Sequence, residues 1–154
     1  MDHTAGSHTQ LLGPLRVLSI IFLILLAVQF EFGIAVNLSP SLQEVSPIAG
    51  SVPALWTALA KVGADALVHA LLGTALSVAG LVGLILSILS RRGTVVVVGV
   101  LSFLCLALAE INGILFTLSG FKNDGYSHGM ATGFLLAFSL YFVQVCVLSV
   151  KLRR

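Results

Sequence analysis

Four long apolar stretches, at about 15–38, 64–90, 94–120 and 126–150, fill most of the 154 residues and leave no room for a soluble core between them. Each meets the need for about 20 apolar residues in a helix that crosses hydrocarbon. Because a bilayer holds no water to satisfy backbone N–H and C=O groups, such runs must close their hydrogen bonds internally as helices. The composition agrees: 58% of residues are hydrophobic and 9% charged, with a mean hydropathy of +1.09, outside the range of soluble domains. The sequence predicts an all-α integral membrane protein, one antiparallel four-helix bundle over residues 1–154 with the lipid bilayer as its environment. A secretory signal is the alternative for the first stretch, since Arg16 precedes it. Its length exceeds the about 7–15 residues of a signal core, and Phe32-Gly33-Ile34-Ala35-Val36-Asn37 supplies no convincing cleavage site.

Charge sets the expected orientation. Arg16, Arg91, Arg92, Lys151, Arg153 and Arg154 fall on one side of the four spans, and Lys61 and Lys122 on the other. The positive-inside bias places both termini in the cytoplasm of a multi-pass cell-membrane protein. These residues account for the net charge of +2, which therefore does not point to nucleic acid as a partner. His3 and His8 sit in a polar tail and take no role.

The connections say which helices are neighbours. Arg91-Arg92-Gly93 forces the second and third helices into a hairpin, and Phe121-Lys122-Asn123-Asp124-Gly125 has the chemistry of a tight reversal. The outer loop 39–63 is longer, with Pro40, Pro47 and Pro53 and an amphipathic 53–61 segment that contains Trp56. It reads either as a crossover lying on the bilayer or as a lid over a site in the bundle. Cys105 and Cys146 differ in depth by about 10 Å on a helical rise of 1.5 Å per residue, too far for a disulfide, and read as packing residues.

Positions spaced alternately three and four apart form the seams through which bundle helices meet. The first seam is taken as Arg16, Ser19, Leu23, Leu26, Phe30, Gly33, Asn37, and the second as His69, Gly73, Leu76, Gly80, Gly83, Ser87, Ser90. The third runs Ser102, Cys105, Ala109, Asn112, Phe116, Ser119, and the fourth Ser127, Met130, Phe134, Ala137, Tyr141, Gln144. Counting along each helix from its arginine-rich end puts Asn37, His69, Asn112 and Met130 at about 27–33 Å, with His128 near the same level. Glu31 and Glu110 lie about 24 Å along on the same count. An ionisable side chain at membrane depth is costly and points to function. The chemistry is expected in the outer half, with a mostly aliphatic inner half.

An imidazole and a thioether on facing helices, beside Gly73, Phe116 and Phe134, form a donor set that haem iron accepts. A b-type haem is the candidate cofactor, since covalent attachment needs a Cys-x-x-Cys-His string that the chain lacks. His69-Ala70-Leu71-Leu72-Gly73, on a helix ending in Arg91-Arg92, resembles the haem-bearing helices of small four-helix membrane b-type cytochromes and of the haem A synthase group. The strings Gly33-Ile34-Ala35-Val36-Asn37-Leu38, Asn112-Gly113-Ile114-Leu115-Phe116 and Ser127-His128-Gly129-Met130-Ala131 are also similar to those of short uncharacterised prokaryotic four-helix membrane proteins. The cytochrome resemblance implies electron transfer, to or from a quinone or an external redox partner, with His69 as one axial ligand. Such cytochromes commonly use two intramembrane histidines; here the second ligand stays open between His128 and Met130.

Other readings compete. His69 could hydrogen-bond across helices to Asn112 or Glu110, and Asn37 and Asn112 could be helix glue or caps. Glu31, Glu110 and His69 could handle protons or a metal ion without haem, although the Glu-x-x-His repeats of di-iron bundles are missing. A non-catalytic subunit of a larger membrane complex is a third reading. Gly129-x-x-x-Gly133 and the Gly80/Gly83 face could pair two copies of the chain.

Overall fold

The computed structural model describes residues 11–48 and 50–152. His3, His8, Arg153 and Arg154 lie outside these. Four membrane-length helices are present: α1 (Leu12–Asn37), α3 (Ala64–Leu89), α4 (Gly93–Leu118) and α5 (Asp124–Lys151), with a short α2 (Val52–Val62) in the connection between α1 and α3. They match the four expected spans in number and place, and form an all-helical membrane bundle.

Around the bundle, α1 packs beside α3 and α5, and α4 completes the ring beside α3 and α5. The α4–α5 contact is the tightest, because Gly133 has no side chain to hold the backbones apart. A Cβ there would lie 2.8 Å from both the Ala109 nitrogen and the Cys105 carbonyl oxygen. Gly129, one turn earlier, accommodates the Asn112 side chain. On α3, Gly80 receives Leu106 and Tyr141, while Gly83 receives Leu18. The small-residue motifs that could have joined two copies thus serve contacts within one chain, as lipid-embedded helices need when no hydrophobic force draws them together.

The arginine-rich half is closed, and it is more polar than expected. Ser19, Ser87, Ser90 and Ser102 are fully buried. Ser19, Ser87 and Ser102 each donate to a carbonyl four residues earlier, at 2.8 Å. Gln144 donates from Nε2 to Ser87 Oγ at 3.1 Å and so ties α5 to α3. Phe22 and Tyr141 stack with centroids 4.4 Å apart and planes 6° off parallel. Cys105 and Cys146 are both free.

The connection between α1 and α3 is a folded cap. A 3-10 turn (Pro40–Glu44) leads to α2, whose buried Ala58, Leu59 and Val62 pack with Val36, Leu42, Val45 and Ala66. Its path is fixed by the α4–α5 turn: Ile48 N–H donates to the Leu118 carbonyl at 3.0 Å. Gly120 has φ of +67° and lies beneath the Val45–Pro47 backbone, so any side chain there would meet main-chain atoms at 2.7–2.8 Å. Substituting Gly133→Leu is expected to destabilise the purified protein by about 1–3 kcal/mol or more through overpacking. Gly13→Ala, with nothing within 4 Å of its new methyl, is expected to stay within about 0.5 kcal/mol. Reversible unfolding in mixed micelles measures both.

Candidate functional site

Beneath the cap the four helices do not close. They enclose a chamber of about 440 Å³, within the range of ligand-sized pockets. Leu26, Leu76 and Leu106 form its floor, and Leu55, Trp56 and Leu59 of α2 its roof. The walls are mainly aliphatic and aromatic, including Phe30, Phe116 and Phe134. Phe30 and Phe134 stack across the α1–α5 boundary with centroids 5.7 Å apart.

Polar groups in the chamber gather around α3. His69 Nδ1 lies 3.2 Å from the Gln29 carbonyl oxygen. A carbonyl can only accept, so the proton belongs on Nδ1 and the Nε2 lone pair is free to accept. Gln29 Nε2 donates to the His69 carbonyl at 2.9 Å and stands 3.5 Å from His69 Nε2, beyond the range of a strong hydrogen bond. Gly33 makes room for the ring, since a Cβ there would come within 3.1 Å of His69 Cε1. The nitrogen-bearing edge of the imidazole therefore rests on α1.

One turn along α3, Gly73 lets two polar chains approach its backbone: a Cβ would meet Gln29 Nε2 at 3.1 Å and Glu110 Oε2 at 3.2 Å. Glu110 Oε1 accepts from the Thr74 hydroxyl at 3.1 Å. A belt of Gln29, His69, Glu110 and Thr74 thus crosses three helices at one level. Each member makes at least one hydrogen bond, and Gln29 Oε1 is buried without a partner.

Of the expected site residues, His69, Gly73, Asn37, Phe116 and Met130 line the chamber. Met130 packs its sulfur against Gly113 of α4. Asn112 instead donates to the Leu108 carbonyl at 2.8 Å and faces Gly129. His128 and Glu31 are exposed and outside the chamber lining, whereas Glu110 belongs to it. His69 does bond across helices, but to Gln29. Among the described residues, no three His, Cys, Asp or Glu side chains are grouped to hold a metal ion.

Sequence reasoning missed Gln29. Starting the α1 seam at the exposed Arg16 rotates the face by one residue, giving Leu23, Phe30 and Asn37 where the buried set has Phe22, Gln29 and Val36. The same alternation begun at Leu12 runs 12, 15, 19, 22, 26, 29, 33, 36 and includes Gln29. An apolar starting residue is the signal that would have found it.

Compared with known proteins, the chain matches no family model, no curated protein and no solved structure. Replacing His69 by Leu should cost about 1 kcal/mol, typical of an interhelical hydrogen bond in lipid. Unfolding the variant and the parent side by side measures that loss, and an unchanged stability would refute the α1–α3 tie.

Proposed function

We propose that the chain is a membrane-embedded binding protein whose capped chamber holds a flat, lipid-soluble molecule with a polar head, quinone-type electron carriers being the class that fits. The observation that carries this reading is the chamber itself: apolar and aromatic walls around one belt of hydrogen-bonding groups, roofed by α2. Such a site orients a ring by its polar substituents and removes the rest of it from water. The mass of bound lipid-soluble compounds, read by solvent extraction of protein purified from native membranes, tests it. A ring compound near one per chain is expected, and its loss in Gly73→Ile, whose side chain would project between Gln29 and Glu110. Equal extracts from parent and variant would contradict the proposal.

A b-type cytochrome is the second reading, favoured by one specific observation. The Nδ1–H of His69 is directed at a backbone carbonyl, the arrangement that orients metal-bound imidazoles, and Met130 lines the same chamber from α5. These two side chains would hold haem b, and the exposed His128 would not. The fit requires the Gln29 amide to leave Nε2. When bound, haem would supply one-electron exchange; the chain's own residues would hold the ring plane and exclude water. A Soret band that disappears in His69→Ala supports this reading, and protein that stays colourless through a haem titration contradicts it.

The positive-inside bias supports cytoplasmic termini and a cell-membrane location, with the cap outside. Cysteine labelling in intact cells checks it: a cysteine at Ser51 is expected to react with an impermeant reagent, and one at Arg91 is not.

A further inference from the structure

Among the described residues, Glu110 is the only aspartate, glutamate, lysine or arginine that lines the chamber. Its Oε1 accepts from the Thr74 hydroxyl at 3.1 Å. Oε2 has no hydrogen-bond partner among the described residues, and the side chain is only half-buried. Three unpartnered side-chain oxygens of these residues are sealed from any approach, those of Gln29, Ser77 and Gln144, and Glu110 Oε2 is not one of them.

Gly73 shows which way Oε2 lies. A Cβ on this residue of α3 would meet Gln29 Nε2 of α1 at 3.1 Å and Glu110 Oε2 of α4 at 3.2 Å. Since α1 and α4 flank α3 on its two sides, a direction that reaches both points into the ring of helices, and Gly73 itself lines the chamber. The open carboxylate oxygen therefore stands on the chamber side of α3. His69, the nearest candidate for a positive charge in the belt, bonds to Gln29 and not to Glu110.

We propose that the chamber also binds organic cations, molecules with a flat apolar body and one ammonium-type charge, with that charge seated beside Glu110 Oε2. This rests on the reading of the chamber as a binding site and adds a second ligand class to it. A carboxylate at membrane depth calls for a paired charge, and the lining supplies a hydroxyl but no lysine or arginine. Charge complementarity thus assigns the cation to the occupant. Phe30, Phe116, Phe134 and Trp56 add aromatic walls, which attract a cation at a desolvated site.

Trp56, the single tryptophan of the chain, lines the roof and reports occupancy. The full chain in phosphatidylcholine nanodiscs is titrated while Trp56 emission is followed, with the Trp56→Phe chain in the same nanodiscs as background. The probes are phenylbutyltrimethylammonium, its neutral isostere with carbon in place of the nitrogen, and decylubiquinone. Saturable binding of the cation is expected, about tenfold tighter than the isostere, as for a desolvated charge contact. That preference should collapse in Glu110→Gln, which keeps an oxygen for Thr74, with Glu110→Met as the second variant should the first fail to fold. Equal affinity for cation and isostere, as a protonated Glu110 would give, or a preference that survives loss of Glu110 overturns the cation site. Saturable decylubiquinone binding in that case leaves the binding reading standing, whereas no saturable change with any probe overturns both. Glu110-dependent cation binding with no response to decylubiquinone supports the cation site and contradicts the quinone class.

Discussion

The contact of Gly133 with the backbone of Ala109 and Cys105 sets the geometry of the bundle, because it brings the α4 and α5 backbones together with no room for a side chain between them. Glycines on α3 do the same for side chains, letting Leu106 and Tyr141 reach across the interior at Gly80. In lipid this is how helices associate: close packing substitutes for a hydrophobic force that hydrocarbon solvent cannot provide. Above the floor the pattern changes. Gly33 and Gly73 give their space to the His69 ring and to the Gln29 and Glu110 side chains, not to a neighbouring backbone, and the bundle stays open.

An open chamber in hydrocarbon must satisfy its polar groups from within. The Gln29–His69 pair does so for α1 and α3 in both directions: backbone of α1 to imidazole, and amide of Gln29 to backbone of α3. Glu110 and Thr74 continue the belt onto α4. Gly33 and Gly73 are the positions that make this possible, since a side chain at either would displace the ring or the amide. The cap then closes the chamber at the end of the bundle away from Arg91 and Arg92. Its core of Leu42, Val45, Leu59 and Val62 is continuous with Val36 and Ala66 at the helix ends. Roof and walls are accordingly one packed unit.

Much of this was legible in the sequence because the membrane leaves few choices. Span number, antiparallel order and the small-residue faces of α3 and α5 follow from apolar length, short connections and glycine spacing. The Gly80, Gly83 and Tyr141, Gln144 positions proved to be buried as the seams required. The gathering of polar groups in the half of the bundle away from Arg91 and Arg92 was also readable from position along each helix. Rotation was harder. A seam beginning at Arg16 and one beginning at Leu12 are equally regular, and they differ by one residue, which on a helix decides whether Gln29 or Phe30 faces inward. On α4 two neighbours compete for different faces, so Asn112 turned toward Gly129 of α5 and left the chamber to Glu110. The inner half looked aliphatic because serines count as small; their hydroxyls fold back on their own helices.

The most direct measurement is an experimental structure of the protein purified from native membranes without added ligand. The account predicts density for a flat ring between the His69 and Met130 walls of the chamber. A chamber filled by its own side chains, or by water alone, would contradict it.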